Sequence, residues 1–146
     1  MAYYNNTKIV KNSTSSYFIK LLRAVVLETN YTGPKVKIEG YEIGGKTGTT
    51  ELRNESGQYQ KDVNMTSFIG VFPVSKPKYV VLAMIENPKK IKKENYSITG
   101  ATVSAPLVKN IILRMIEILG ISVPNSSEIL KADTSIKYKT INNATF

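Results

Sequence analysis

A chain of 146 residues can build one domain with a modest core and is too short for two comfortable ones. Its 42% hydrophobic and 21% charged content are globular values and exclude wholesale disorder. Lys and Arg total 20 against 11 Asp and Glu, a formal charge of +9. Such a balance suits anionic surroundings such as nucleic acid, anionic lipid or an acidic polymer, but an ordinary solvated basic surface accounts for it equally well.

The absence of cysteine and histidine removes the usual zinc sites, thiol nucleophiles and imidazole bases. Acid–base chemistry would fall to Lys, Tyr or carboxylates, and neither a metal nor a cofactor is expected. No apolar run approaches the length of a bilayer span. The opening Met1-Ala-Tyr-Tyr-Asn-Asn6 lacks the basic-then-apolar form of a signal peptide. The chain as written is therefore expected neither to cross a membrane nor to target one.

In chain order, residues 1–14 read as a polar lead-in. Phe18, Leu21, Leu22, Val25 and Val26 then recur at the spacing of one helical face. They predict a helix over about 15–29 turned toward a core, with a serine among Ser13 to Ser16 as N-cap and Gly33-Pro34 beyond its end. Val36 to Thr50 alternates weakly and is broken by glycine, which suits an edge strand. Residues 51–64 read as a loop or loose hairpin. Met65–Phe72 and Tyr79–Glu86 carry clear strand signals, and the connector Pro73–Lys78 is too short for a parallel crossover, so the two run antiparallel. The second is apolar at nearly every position, as in a strand buried on both faces or deep in a sheet. Lys89–Asn95 forms a basic surface loop. Ser104 is the expected cap of a second helix with Pro106 in its first turn, Gly120 at its end, and an apolar face of Leu107, Val108, Ile111, Ile112, Met115, Ile116 and Leu119. Residues 125–146 lose periodicity and are expected to form a disordered tail. Asn-X-Ser/Thr triplets in so Asn-rich a chain carry no weight.

The densest chemistry lies at Gly40–Glu51, which holds Gly40, Gly44, Gly45 and Gly48 with Lys46, Thr47, Thr49 and Thr50. Glycine at that density marks backbone that approaches something closely or takes torsions closed to side chains. A lysine flanked by hydroxyls in such a place reads as an anion pocket. Gly40-Tyr-Glu-Ile-Gly-Gly-Lys-Thr47 fits the phosphate-binding loop pattern of nucleotide hydrolases. That loop needs a buried apolar strand before it and a helix beginning at Lys-Thr, in a parallel setting. Here Lys35-Val-Lys-Ile-Glu39 is short and charged, Gly48-Thr49-Thr50 are poor helix formers, and the following strands form a hairpin. Nucleotide binding is disfavoured.

Lys46-Thr47-Gly48 is also the K-T-G triplet of penicillin-binding proteins and class A β-lactamases. With Gly40 to Thr49 around it, Thr66-Ser67-Phe68 to Pro73, Pro77 to Leu82, Glu86-Asn-Pro88, Thr99-Gly100-Ala101 and the helix ending at Leu119-Gly120, the chain resembles the C-terminal part of class B penicillin-binding proteins. The division-specific peptidoglycan D,D-transpeptidase is the nearest type. Leu22-Arg23-Ala24-Val25-Val26 resembles that family's helix before the motif strand, so the resemblance covers about residues 15–124.

It implies an α+β fold: an antiparallel three-stranded portion of a five-stranded penicillin-binding sheet, packed against an N-terminal and a C-terminal helix. It implies that the motif strand lines a groove for the D-Ala-D-Ala stem peptide or a β-lactam. Gly44, Gly45 and Gly48 would leave room for that second backbone. Lys46, Thr47, Gly48 and Thr49 would bind the substrate carboxylate, with the Thr49 backbone N–H an oxyanion-hole donor. The plain alternative for Lys46 is an exposed strand lysine, and for Tyr41 and Phe68 simple packing is preferred. A location on the periplasmic side of the inner membrane is likewise implied.

The family's nucleophile is the Ser of S-x-x-K on a helix. The only S-x-x-K here is Ser75-Lys-Pro-Lys78, where Pro77 and a short connector forbid a helix, and no S-x-N occurs. The expected reading is the C-terminal third of a transpeptidase domain, as a truncation, a split gene product or an expressed piece, inactive alone. Its strand 79–86 would keep an open edge for the missing portion or for self-association. The alternative is a non-catalytic remnant or binding module using its basic surface.

Overall fold

The computed structural model describes residues 8–28, 30–89 and 97–123. The first seven residues, most of the basic loop after Lys89 and the expected tail lie outside the described residues. The element order is α1 (Asn12–Glu28), a short α2 (Gly33–Val36), β1 (Gly44–Arg53), β2 (Tyr59–Phe72), β3 (Tyr79–Glu86), a π-helical turn (Gly100–Ser104) and α3 (Ala105–Leu119). Among the described residues the strands form one antiparallel sheet in the order β1-β2-β3. This is the expected α+β fold.

Alternation along the strands gives the sheet two faces. Phe68, Gly70 and Phe72 of β2 share a face with Ala83, Val81 and Tyr79, their cross-strand partners on β3. Helix α3 lies on this face: a Cβ on Gly70 would meet Val108 and Ile112. The core joins Phe68, Phe72, Val108, Ile112 and Ala105 to Val26, Val36, Ile38 and Ile43. Burial of this apolar surface is the main stabilising term. Tyr41 packs against the cluster while its hydroxyl donates to the Ile121 carbonyl (3.0 Å), so packing does explain both Tyr41 and Phe68.

The opposite face carries α1 over β1. Gly44 lets the helix come close: a Cβ there would stand 2.9 Å from the Arg23 nitrogen and 3.0 Å from the Leu22 carbonyl carbon. Arg23 is buried and donates to the Ile43 carbonyl (3.0 Å). The expected inward face of α1 is corrected, because Arg23, Ala24 and Val26 are buried whereas Phe18 and Leu21 are exposed. Periodicity locates an apolar stripe but not which part of it finds a seat, and the helix is wider in apolar coverage than β1 can cover. Its start at Asn12 also precedes the serines expected to cap it.

Three further expectations change. Residues 33–36 form a helical turn and β1 starts only at Gly44, so the edge strand is shifted to Gly44–Arg53. Of the loop or loose hairpin expected over 51–64 the hairpin is found, with residues 51–53 and 59–64 already part of its paired strands. Between them the Asn54 N–H donates to Gln58 O (2.8 Å) and Gly57 N–H to Asn54 O (2.9 Å), with Gly57 at φ 78°. Finally, β3 is buried on one face only: Ala83 is 7% exposed, but Val80, Leu82 and Met84 are 66%, 56% and 55% exposed. A fully apolar strand reads as doubly buried, and here nothing among the described residues covers the second side.

Helix α3 has Pro106 in its first turn and Gly120 in a left-handed C-cap (φ 60°) as expected, but of its expected apolar face Val108 and Ile112 are buried whereas Leu107 and Leu119 are exposed. Ser104, however, does not cap it. The π-helical turn continues into α3, and Thr99 with Thr102 forms the capping box in front of it. Because Phe68 is fully buried at the centre of the core, Phe68→Ala is expected to cost about 3–5 kcal/mol. Urea denaturation should show this as a lowered midpoint, or as loss of the folded state where the chain's total margin is of the same size.

Candidate functional site

The motif residues lie on β1, the edge strand that opens the sheet. Lys46 and Gly48 share the α1 face with Gly44, and Thr47 and Thr49 point to the α3 face opposite Phe68 and Thr66. Lys46 is exposed, and its Nζ donates to the Thr47 carbonyl (2.9 Å). The orientation of the edge follows from the ladder. Asn87 N–H donates to Asn64 O (2.7 Å), in register with Met65↔Glu86, so alternate residues from Asn64 along β2 bond to β3. The intervening residues, Met65, Ser67, Ile69 and Val71, then bond to Thr50, Gly48, Lys46 and Gly44. By the same alternation, Gly45, Thr47 and Thr49 turn their N–H and C=O groups outward from the edge.

The glycines are required by the chain's own packing, a role that their reading as room for a second backbone did not include. A Cβ on Gly45 would collide with the Phe68 ring and, at 2.5 Å, with the Ile69 carbonyl oxygen. On Gly48 it would stand 2.5 Å from Ser67 Oγ. Gly100 completes the arrangement, because its own Cβ would overlap the Ser67 carbonyl and come within 2.6 Å of the Gly48 oxygen. The π-helical turn thus lies directly on the backbone of the motif strand.

Two hydroxyl contacts join that turn to the sheet. Gly100 N–H donates to Thr49 Oγ1 (2.9 Å), and Thr66 Oγ1 meets Ser104 Oγ at 2.9 Å, both of the latter residues being fully buried. Residue-by-residue reading of the sequence missed both contacts. The available signal was the hydroxyl-rich run Thr99-Gly-Ala-Thr-Val-Ser104, whose Ser/Thr spacing matches a cap ahead of an apolar helix. A second missed residue is Glu42, fully buried just before β1. Its carbonyl accepts from Val74 N–H (3.0 Å), its Oε2 accepts from Ser75 N–H (3.0 Å), and its Oε1 is buried without a partner. Glu42 therefore ties the entry of β1 to the β2–β3 connection. Among the described residues no acidic cluster could hold a metal ion, and no helix is long and apolar enough to cross a membrane.

The site thus consists of an exposed lysine next to outward-facing threonine amides on an open strand edge, with close-packed glycines behind. Comparison with known proteins gives this arrangement its family. Residues 3–113 match the penicillin binding protein transpeptidase domain. Over 112 residues the chain is 36% identical to a peptidoglycan D,D-transpeptidase FtsI homolog of Chlorokybus atmophyticus, a match covering 76% of this chain and 15% of that protein. It is 35% identical over 124 residues to the stage V sporulation protein D of Bacillus subtilis, covering 85% and 18%. Penicillin binding protein 3 of Mycobacterium tuberculosis, solved with ampicillin, superposes with a TM-score of 0.65 at 30% identity, over 80% of this chain and 26% of that one. The chain belongs to the penicillin-binding protein transpeptidase family. It spans less than a fifth of the length of these two curated relatives.

Removing the acceptor in Thr49→Val should cost about 1 kcal/mol and accelerate exchange of the Gly100 amide, read by hydrogen-exchange mass spectrometry. Thr66→Val and Ser104→Ala should couple in a double-mutant cycle, since the first takes this partner from the buried Ser104 hydroxyl and the second leaves Thr66 Oγ1 only its longer contact to the Ile85 carbonyl (3.5 Å). Additive single costs would show that the 2.9 Å contact contributes nothing of its own.

Proposed function

We propose that this chain supplies the carboxylate-binding strand of a peptidoglycan D,D-transpeptidase and acts with a polypeptide portion bearing the S-x-x-K nucleophile. The observation that carries the reading is the open β1 edge, where the outward-facing backbone of Thr47 and Thr49 adjoins the exposed ammonium of Lys46. An extended D-Ala-D-Ala stem peptide, or a β-lactam with the same terminal carboxylate, pairs with such an edge as an added strand. Lys46 then sets a positive field for the carboxylate, with the hydroxyls of Thr47 and Thr49 beside it. Gly48 keeps the strand low between Ser67 and the π-helical turn, and the Thr49 N–H points to where an oxyanion would develop.

The nucleophile has no place within the described residues. Ser75 and Lys78 lie in the non-helical connector between β2 and β3, so they cannot share a helix face. The whole reaction, attack on the peptide and transfer to a second stem peptide, is proposed for the chain together with a portion supplying that serine. The family's work in cell-wall synthesis supports placing the assembled protein at the cell envelope, on the periplasmic side of the inner membrane.

Incubated alone with a reactive penicillin, the chain should show no covalent adduct by intact mass. Mixed with a transpeptidase portion bearing S-x-x-K, that portion should become acylated. Lys46→Ala should lower its acylation rate by about tenfold to a hundredfold, the worth of a hydrogen bond to a charged group. An adduct on the chain alone would overturn the division of labour. No acylation in the mixture would leave a non-catalytic remnant or binding module with a basic surface.

A further inference from the structure

The ladder between β1 and β2 meets an obstacle at its start. Gly44 pairs with Val71, and the same register would next set Glu42 opposite Pro73. By the alternation derived above, residues 42 and 73 would exchange both N–H···O bonds, but proline has no N–H to donate. Glu42 makes up the loss with two acceptors. Its carbonyl takes the Val74 N–H (3.0 Å), one residue further along, and its Oε2 takes the Ser75 N–H (3.0 Å). Two successive amides of the β2–β3 connector are thus held by one residue of the incoming strand. The next carbonyl, that of Ile43, belongs to the outward row and accepts from the buried Arg23 guanidinium (3.0 Å). Helix α1 thereby closes the outward row at Ile43, and the row opens only from Gly45, directly before Lys46.

We infer that Glu42 is a positioning residue for the carboxylate-binding strand, an inference that rests on the function proposed above. It acts ahead of Lys46, by fixing where β1 enters the sheet. A slip of one residue at the entry would turn Lys46 to the α3 face, and a slip of two would carry it to the next pair along β2. At the far end of the motif, Thr49 Oγ1 is tied to the Gly100 N–H (2.9 Å). Lys46, Thr47 and Gly48 are thus suspended between two side-chain contacts, and loss of either frees one end. Glu42 is fully buried within this chain, so polypeptide laid over the sheet can neither reach its carboxyl nor replace it. A carboxyl group this deep is costly to bury, and an apolar residue would fill the same space at less cost. The Ser75 amide explains why the position is polar. Because Oε1 has no partner, one acceptor oxygen at the right reach is all that the contact requires.

Three substitutions in the full chain separate reach from charge. Glu42→Leu removes the acceptor at similar size, Glu42→Asp withdraws the carboxylate by one carbon, and Glu42→Gln keeps one oxygen within reach. In Glu42→Leu and Glu42→Asp the amides of Gly44, Lys46 and Ser75 should exchange about tenfold faster by hydrogen-exchange mass spectrometry, with those of α3 unchanged. Glu42→Gln should match the wild type. Should Glu42→Leu fail to fold, Glu42→Asp against Glu42→Gln makes the same comparison. In the mixture with the S-x-x-K portion, Glu42→Leu should slow acylation by a penicillin about tenfold. Acylation by the penicillin's methyl ester, which carries no carboxylate charge, should be unchanged, whereas loss of folded chain would slow both alike. Faster exchange confined to Ser75, or spread equally into α3, overturns the inference. So does a Glu42→Gln strand as loose as that of Glu42→Leu, or acid and ester slowing together. A wild-type mixture acylated by neither compound overturns the function proposed above instead, and the exchange pattern still decides whether Glu42 sets the strand.

Discussion

The distance at which backbone meets backbone around β1 constrains everything else in the molecule. Helix α1 sits so near Gly44 that a methyl group there would stand 2.9 Å from the Arg23 nitrogen, and the Phe68 ring fills the space a side chain on Gly45 would need. On the α3 face, Gly100 brings the π-helical turn down onto Gly48. A single strand is therefore gripped from both faces by close approach and not by large side chains. Once it is gripped, Phe68 can centre the core and α3 can lie against Gly70. The next strand can then only present its alternate residues to α3 or to the open side.

The two strands at the margins of the sheet are covered unequally. The α1 face of the sheet is covered over β1 and bare over β3, where Val80, Leu82 and Met84 are exposed. Apolar residues at full strand density are normally a sign of burial on both sides, and here, among the described residues, β3 is buried on one side only. Glu42 couples the two ends of this arrangement. By holding Val74 and Ser75, it makes the approach to β1 and the turn into β3 one mechanical unit.

Sequence reading recovers some parts of this structure and is blind to others, for physical reasons. Helix α3 is legible because its period, Pro106 and Gly120 all act within the helix. Strands β2 and β3 are legible because the connector between them is too short for any topology but antiparallel. The seated face of α1 is not legible, because Phe18 and Leu21 match the helical period as well as Val26 does and only the width of β1 decides between them. Lys46, Thr47, Gly48 and Thr49 announce themselves as a motif. The reason for the glycines does not, since it resides in Phe68, Ser67 and Gly100, far along the chain. A motif whose glycines are demanded by folding would persist in a chain that had lost its chemistry.

The bond between Thr49 and Gly100 has a consequence for any anion that reaches the β1 edge. A hydroxyl in water accepts and donates in shifting directions, and fixing it upon binding costs rotational freedom. The oxygen of Thr49 already accepts one hydrogen bond, from the Gly100 amide, which leaves its proton and a single further lone pair. The π-helical turn acts in this way as a setting for the threonine. It narrows the orientations open to an otherwise adaptable hydroxyl, and a turn about fifty residues downstream thereby sets how this side chain stands at the edge.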